Sequence, residues 1–234
     1  MNRVRTGVQG LDELIQGGIP EGSTVLISGG AGTCKTILGM TYIYEGAKQY
    51  KEPGLYVTLE ENKRNIMWNM QSFSWDIKPF EEKNLIKIYK LNLNPKDSVE
   101  VQVEAELKEI SKIVKEIGAK RLVVDSTTAF GVWIKDQGAM RSLLYRFTDG
   151  LKDIGTTTLL IAETSGEKGV FSAFGVEEFV ADGVIALYFS PPNRSIFVRK
   201  MRGTNHSKSA HPFQITDNGI TISPKDTIMW ESIK

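Results

Sequence analysis

Eight consecutive residues carry the most explicit chemistry in the 234-residue chain: Gly29-Gly30-Ala31-Gly32-Thr33-Cys34-Lys35-Thr36. A glycine-rich turn between a strand and a helix points backbone N–H groups and a helix N-terminus at phosphates. Its lysine serves as a point charge and its Ser/Thr hydroxyl as a magnesium ligand. Lys35 and Thr36 fit those two roles. The pattern G-x-x-x-x-G-K-[ST] is broken at one place, because Cys34 stands where the last glycine belongs. Glycine is used where backbone must approach phosphate closely or adopt dihedrals that a Cβ disfavours. The bland alternative, a strand–helix turn with an incidental Lys-Thr, agrees less well with the flanking elements.

Carboxylates recur at the positions such a loop needs. Asp125 closes the apolar run Leu122-Val123-Val124, where an acid holds the hydration shell of magnesium beside the loop hydroxyl. Glu60 and Glu61 follow the strand Leu55 to Leu59, and strand C-terminal ends in such sheets face the ligand crevice. A carboxylate there can orient and deprotonate water. The residues alone weigh this evenly against two solvated acids opening a helix, where the dipole favours negative charge. Further on, Arg199, Lys200 and Arg202 crowd a strand-like segment, and alternation puts Lys200 and Arg202 on one face. They could stabilise charge developing in phosphoryl transfer. Taken alone, they fit better a solvated edge strand that uses lysine to block pairing.

The elements that must position these groups alternate between strand and helix. Val25 to Ile27 reads as a buried strand, Thr36 to Tyr50 as a helix, and Pro53-Gly54 punctuate the chain before the strand Leu55 to Leu59. Val99, Val103, Leu107, Ile110, Val114 and Ile117 recur at spacings of three and four and predict a helix over about Asp97 to Ile117. Asp97 with Glu100 resembles a capping box and Gly118 is the stop. Arg121 to Asp125, a helix over about Asp136 to Ile154 and the strand Thr157 to Ala162 continue the alternation. Shorter strands near Val184 to Tyr188 and Ile196 to Arg202 precede a hairpin turning at Asp217-Asn218-Gly219. The expected fold class is α/β: a mostly parallel central sheet flanked by helices, with a hairpin-rich C-terminal end. One domain over residues 1–234 is expected, with no internal repeat, low-complexity segment or linker.

Composition narrows the function classes. Lys+Arg 29 against Asp+Glu 28 leaves no charge excess of the kind that coats nucleic acid or binds membrane surfaces. With 1 Cys and 2 His, neither an internal disulfide nor a Cys- or His-rich metal site is expected, and the cysteine usage fits a reducing compartment. No run approaches the length of a membrane span. Met1 to Gly7 carry charge with no apolar core after them, so no signal peptide is expected and the protein is expected in the cytoplasm.

Several ordered motifs resemble the KaiC branch of RecA-type P-loop ATPases. They are Gly7-Val8-Gln9-Gly10-Leu11-Asp12-Glu13-Leu14, Gly17-Gly18-Ile19-Pro20-Glu21-Gly22, the phosphate loop, and Tyr56-Val57-Thr58-Leu59-Glu60-Glu61. Val123-Val124-Asp125-Ser126, Lys200-Met201-Arg202-Gly203-Thr204, His211-Pro212-Phe213, Ile215-Thr216-Asp217 and Gly219-Ile220 complete the set, which spans nearly the whole chain. The resemblance implies a RecA-like fold, a homo-hexameric ring, and magnesium-dependent ATP hydrolysis at subunit interfaces. It implies that ATP contacts Gly30, Ala31, Gly32, Thr33, Cys34, Lys35, Thr36, Ile37 and Ser72, with Thr36 and Asp125 at the metal. Glu60 falls at the water-activating position, with Glu61 as its neighbour. Lys200, Met201 and Arg202 match a segment that reaches the γ-phosphate of the adjacent subunit, and Thr204, His206, Thr216 and Asp217 match positions lining the nucleotide from that side.

Two departures refine the expectation. Cys34 in place of glycine implies weaker nucleotide binding and slower turnover, which keeps a nucleotide-dependent assembly module as a second reading. Its thiol would sit beside the phosphates, with the helix N-terminus and Lys35 lowering its pKa, which makes it a candidate for oxidation. Glu177 and Glu178 stand where the self-phosphorylating half of the clock protein has hydroxyls, so that activity is not expected. Trp68, Trp75, Trp133 and Trp230 read as packing residues. The cluster Arg194, Arg199, Lys200, Arg202 and Lys208 could touch nucleic acid, as RecA relatives do, but the ATP site already claims part of it, and nucleic acid is not an expected partner.

Overall fold

The computed structural model describes residues 1–73, 75–94 and 97–233. A short antiparallel pair, β1 (Arg3–Val4) with β2 (Ile19–Pro20), flanks the helical turn α1 (Leu11–Leu14). The chain then alternates: β3 (Thr24–Gly29), α2 (Lys35–Glu45), β4 (Gly54–Thr58), α3 (Lys63–Gln71), α4 (Lys78–Glu82), β5 (Ile86–Lys90) and α5 (Val99–Ile117). It continues through β6 (Arg121–Asp125), α6 (Gln137–Ile154), β7 (Thr157–Glu163), the short α7 (Glu177–Val180), and β8 (Gly183–Ser190), β9 (Asn193–Met201), β10 (Ala210–Thr216) and β11 (Gly219–Ile222). The main sheet has the order β11-β10-β9-β8-β3-β7-β6-β4-β5. From β8 to β5 neighbours run parallel, whereas β8 to β11 form antiparallel hairpins.

The inner parallel strands β3, β7, β6 and β4 are buried along nearly their whole length because both faces are covered, whereas the outer β5 alternates Ile86 and Ile88 with Lys87, Tyr89 and Lys90. Leu55 and Val57 of β4, with Leu122 and Val124 of β6, face α5 and α6 through Val103, Ile110, Leu144 and Phe147. The intervening Tyr56 and Val123 belong to the opposite core, with Leu38 and Ile43 of α2. The period-3.6 stripe on α5 is thus buried as expected, and Gly118 ends the helix in the left-handed region at φ 64°. The Asp97–Glu100 box does not form. Ser98 takes the cap position and its hydroxyl donates to the Glu100 carboxylate at 2.8 Å.

The expected helix to Tyr50 is α-helical only to Glu45 and continues as a wider π turn over Gly46–Tyr50. Its cause is Arg121, which is 0% exposed and presses on Gly46; a Cβ there would lie 2.4 Å from the Arg121 side chain. The guanidinium donates to Glu52 through Nε at 2.8 Å and through Nη2, and to the carbonyls of Tyr42 at 3.2 Å and Thr6 at 3.4 Å. Tyr42 and Tyr50 pack their rings on it, at 4.7 and 5.2 Å. One cation thereby ties the N-terminal segment, the end of α2 and the start of β6. Among the tryptophans, Trp75 is buried and stacked on Tyr44 at 4.9 Å, but Trp68 is 73% exposed, against its expected packing role. Among the described residues no helix is long and apolar enough to cross a membrane.

Removing one partner of a buried ion pair strands the groups that paired with it. Arg121→Ala should lower the unfolding free energy by about 3 kcal/mol, because it leaves both a cavity and unpaired carbonyls. Urea denaturation measures this, and a loss below about 1 kcal/mol would contradict the anchoring role.

Candidate active site

Because β3, β4, β6 and β7 are parallel, their C-terminal ends open at one edge of the sheet. β3 feeds the glycine-rich loop, β4 the pair Glu60 and Glu61, β6 Asp125 and Ser126, and β7 Glu163. These meet in a cavity of about 300 Å³ lined by Gly32, Cys34, Lys35, Thr36, Ile37, Tyr56, Thr58, Glu60, Glu61, Ile66, Asp125, Ser126 and Glu163. The residues singled out in the loop, at the end of β4 and at the end of β6 are therefore brought together.

Asp125 organises the floor. Its Oδ2 accepts from the Thr36 hydroxyl at 2.8 Å and from the Tyr56 hydroxyl at 2.5 Å. Burial nevertheless raises its pKa, outweighing these hydrogen bonds and nearby Lys35. Lys35 is buried, donates from Nζ to the Gly30 carbonyl at 2.8 Å, and lies 3.6 Å from Glu163. Burial lowers its pKa against the pull of Glu163 and Asp125. The Thr33 hydroxyl also donates to the Gly30 carbonyl, at 2.8 Å, closing the loop on itself. Glu60 is exposed and accepts from Ser126 Oγ at 3.3 Å. Glu61 is half-buried, and burial, then Asp125 and Glu60, push its pKa up.

Cys34 holds φ 73° and ψ 27°, the left-handed conformation that its glycine counterpart would adopt without strain. The thiol differs from expectation: burial raises its pKa, and the opposing charges of Arg194 and Lys35 do not reverse that. This removes the chemical reason for unusual reactivity.

The other expected contacts fall into two groups. Lys200 pairs with Val184, and Val184 with Leu26, three residues before Gly29, so Lys200 sits about 10 Å down the sheet from the loop. Its Nζ turns further away, donating to the carbonyls of Glu178 at 3.0 Å and Ala181 at 2.6 Å. Met201 pairs with Gly183 at the same edge, Arg202 lies 3.3 Å from Asp182, and Thr204 accepts from Arg3 at 3.0 Å. His206 sits nearby, where Ser207 bonds back to Leu14. These residues occupy the edge opposite their own loop.

Thr216 and Asp217 differ from the expectation that they share that side. Antiparallel β10 carries the chain back, so Phe213 pairs with Arg194 near the loop and the 216–219 turn ends at the loop's own edge. There Gly219 packs on Thr41 of α2 and on Trp75. Ser72, at the far end of α3, donates to the Asn69 carbonyl and does not line the cavity.

Sequence reasoning missed Tyr56 and Glu163. Tyr56 gave no signal beyond an aromatic in a buried strand. Glu163 lies one residue past the expected end of β7, and the rule that pointed to Glu60 and Glu61 would have found it. Glu177 is fully buried and accepts from the backbone N–H groups of Phe174 and Val176, both at 3.2 Å, so it works as a structural cap.

The shift at Asp125 has a definite sign. Its folded pKa exceeds the unfolded one, so the folded state retains its proton to higher pH. The contribution of Asp125 therefore falls as pH rises from the unfolded to the raised folded value, and stays unfavourable above it. Without nucleotide, Asp125→Asn should raise the melting temperature at about pH 7, and its advantage should shrink towards about pH 4. Thermal unfolding at both values checks this, and a variant less stable at neutral pH would contradict it.

The sequence model described as "ATPase: KaiC" matches residues 4–227. A UPF0273 protein of Pyrococcus horikoshii is 39% identical over 95% of this chain and 94% of its own length. The circadian clock oscillator protein KaiC of Parathermosynechococcus lividus is 36% identical over 94% of this chain, which spans only 42% of that longer protein. Among solved structures, a KaiC-like protein from Pyrococcus horikoshii is 40% identical and superposes with a TM-score of 0.85 over 95% of this chain and 99% of its own. By the family model and these likenesses, the chain belongs to the KaiC family of ATPases.

Proposed function

We propose that the protein binds magnesium-ATP and hydrolyses it slowly as a cytoplasmic ring of identical subunits, six by analogy with the family. The observation that carries this reading is the convergence of Lys35, Thr36 and Asp125 with Glu60 and Glu61 in one cavity. Lys35 and the backbone N–H groups from Gly30 to Ile37 are assigned to the phosphates. Glu60, with Glu61 as its neighbour, is assigned to orient the attacking water and accept its proton.

The residues fit a divalent cation. Four carboxylates, Glu60, Glu61, Asp125 and Glu163, face one ammonium in this cavity, a balance that would repel a bare triphosphate. Thr36 Oγ1 and Asp125 Oδ2, already 2.8 Å apart, are the groups that would hold magnesium, directly or through water. Magnesium would supply neutralisation of the phosphate charge. Among the described residues no three His, Cys, Asp or Glu side chains form a metal cluster, which fits an ion shared with the nucleotide.

Lys200, Met201, Arg202, Thr204 and His206 are assigned to the nucleotide of a neighbouring copy, because their own loop lies at the other edge. Thr216 and Asp217 are assigned to the nucleotide of their own chain, and so, on the family resemblance alone, is Ser72, which lies outside the cavity. A second reading, an ATP-dependent assembly module with little turnover that presents a surface to another protein, draws on Cys34 and on the engagement of Lys35 by Gly30 and Glu163.

Phosphate release with magnesium-ATP, measured beside solution mass with and without nucleotide, tests the proposal. The double change Glu60→Gln/Glu61→Gln should retain binding and assembly but lower turnover by about a hundredfold or more. Unchanged turnover would defeat the hydrolytic reading and leave the assembly module.

A further inference from the structure

The β8–β9 hairpin overhangs the phosphate loop. Leu187 pairs level with Gly29, and beyond it Phe189 pairs with Arg194. Phe189 reaches Gly32, where an added Cβ would lie 4.0 Å from its ring. Arg194 lays its guanidinium on that ring, 4.2 Å from the centroid, and donates from Nε to the Gly32 carbonyl at 3.4 Å. The Cys34 thiol turns to the same carbonyl at 3.7 Å, which brings it beside the Arg194 charge. Among the described residues Arg194 pairs with no carboxylate.

The two halves of a trans peptide point in opposite directions. Holding the Gly32 carbonyl outwards against Arg194 therefore turns the Thr33 N–H the other way, as an anion-binding nest requires. The next residue, Cys34, has φ 73°, which glycine adopts freely and other residues resist. A loop with a side chain at that position gains from an external brace.

We propose that Arg194, carried on Phe189, is a positioning residue that holds the phosphate loop in its nucleotide-binding shape and compensates for Cys34 in place of glycine. This rests on the ATP-binding reading above and assigns to that site a residue from the hairpin of the same chain.

A double-mutant cycle on the full chain tests it, with magnesium-ATP titrated calorimetrically. In the parent, Arg194→Ala should weaken binding about tenfold, and in the Cys34→Gly background less than about twofold. Phe189→Leu should act like Arg194→Ala, and Arg194→Lys should recover part of the loss, since a lysine can reach the carbonyl but stacks less well. Without nucleotide, Arg194→Ala should keep its melting temperature within about 2 °C, which separates positioning from a structural role. Equal losses in both backgrounds, or none in the parent, would overturn the inference while parental ATP binding stands. A parent that binds no magnesium-ATP removes the ATP reading and this inference with it.

Discussion

Asp125 is a carboxylate driven into the sheet edge, with two hydroxyls on one oxygen and too little positive charge around it. Most of the site follows from that constraint. Tyr56 must sit inside β4 with its hydroxyl at Asp125, which spends a core position on a polar contact. Thr36 must open α2 beside the strand, so the glycine-rich turn has to bring the chain back sharply. Lys35 is buried in a cavity with four acids and is held by Gly30 and Glu163. A protein selected only for stability would not place these charges together; the proposed cation and polyanion would give them a use.

The hairpin half of the sheet sets where the cations of β9 lie relative to the parallel half. Six parallel strands place the loop and the carboxylates at one edge, and antiparallel β9 then carries Lys200 towards the other. A single chain thus has two different edges, one with the glycine-rich loop and its carboxylates and one bearing Lys200 and Arg202. Such heterologous surfaces join head to tail and close into rings when the rotation permits. Asp182 ties together the edge away from the loop: it accepts from the Thr24 N–H that begins β3 and from Lys152, and lies beside Arg202.

Much of this was legible in the sequence because its signals are local. The loop's glycines, the apolar run ending in Asp125 and the stripe from Val99 to Ile117 each depend on neighbours in the chain. What was hidden depends on tertiary contact. The π turn after Glu45 arises from Arg121, seventy-odd positions away, and Tyr56 is polar in function only because β6 lies beside β4. The pull on the Cys34 thiol was misjudged because burial, which no motif records, outweighs the charges beside it. That Thr216 and Asp217 lie apart from Thr204 and His206 depends on the reversal of β10 against β9, a pairing that no local motif records.

In the proposed ring, a complete ATP site needs the loop edge of one copy and the cationic edge of another. Mixing two inactive variants tests it most directly. Lys35→Ala removes the loop's cation and Arg202→Ala removes the cation assigned across the interface. Mixed subunits contain some interfaces with both groups intact, so phosphate release should return to a sizeable fraction of the wild-type rate, while each variant alone stays at least about a thousandfold lower. Mixtures that remain as inactive as their components, although mass measurements show co-assembly, would contradict the account.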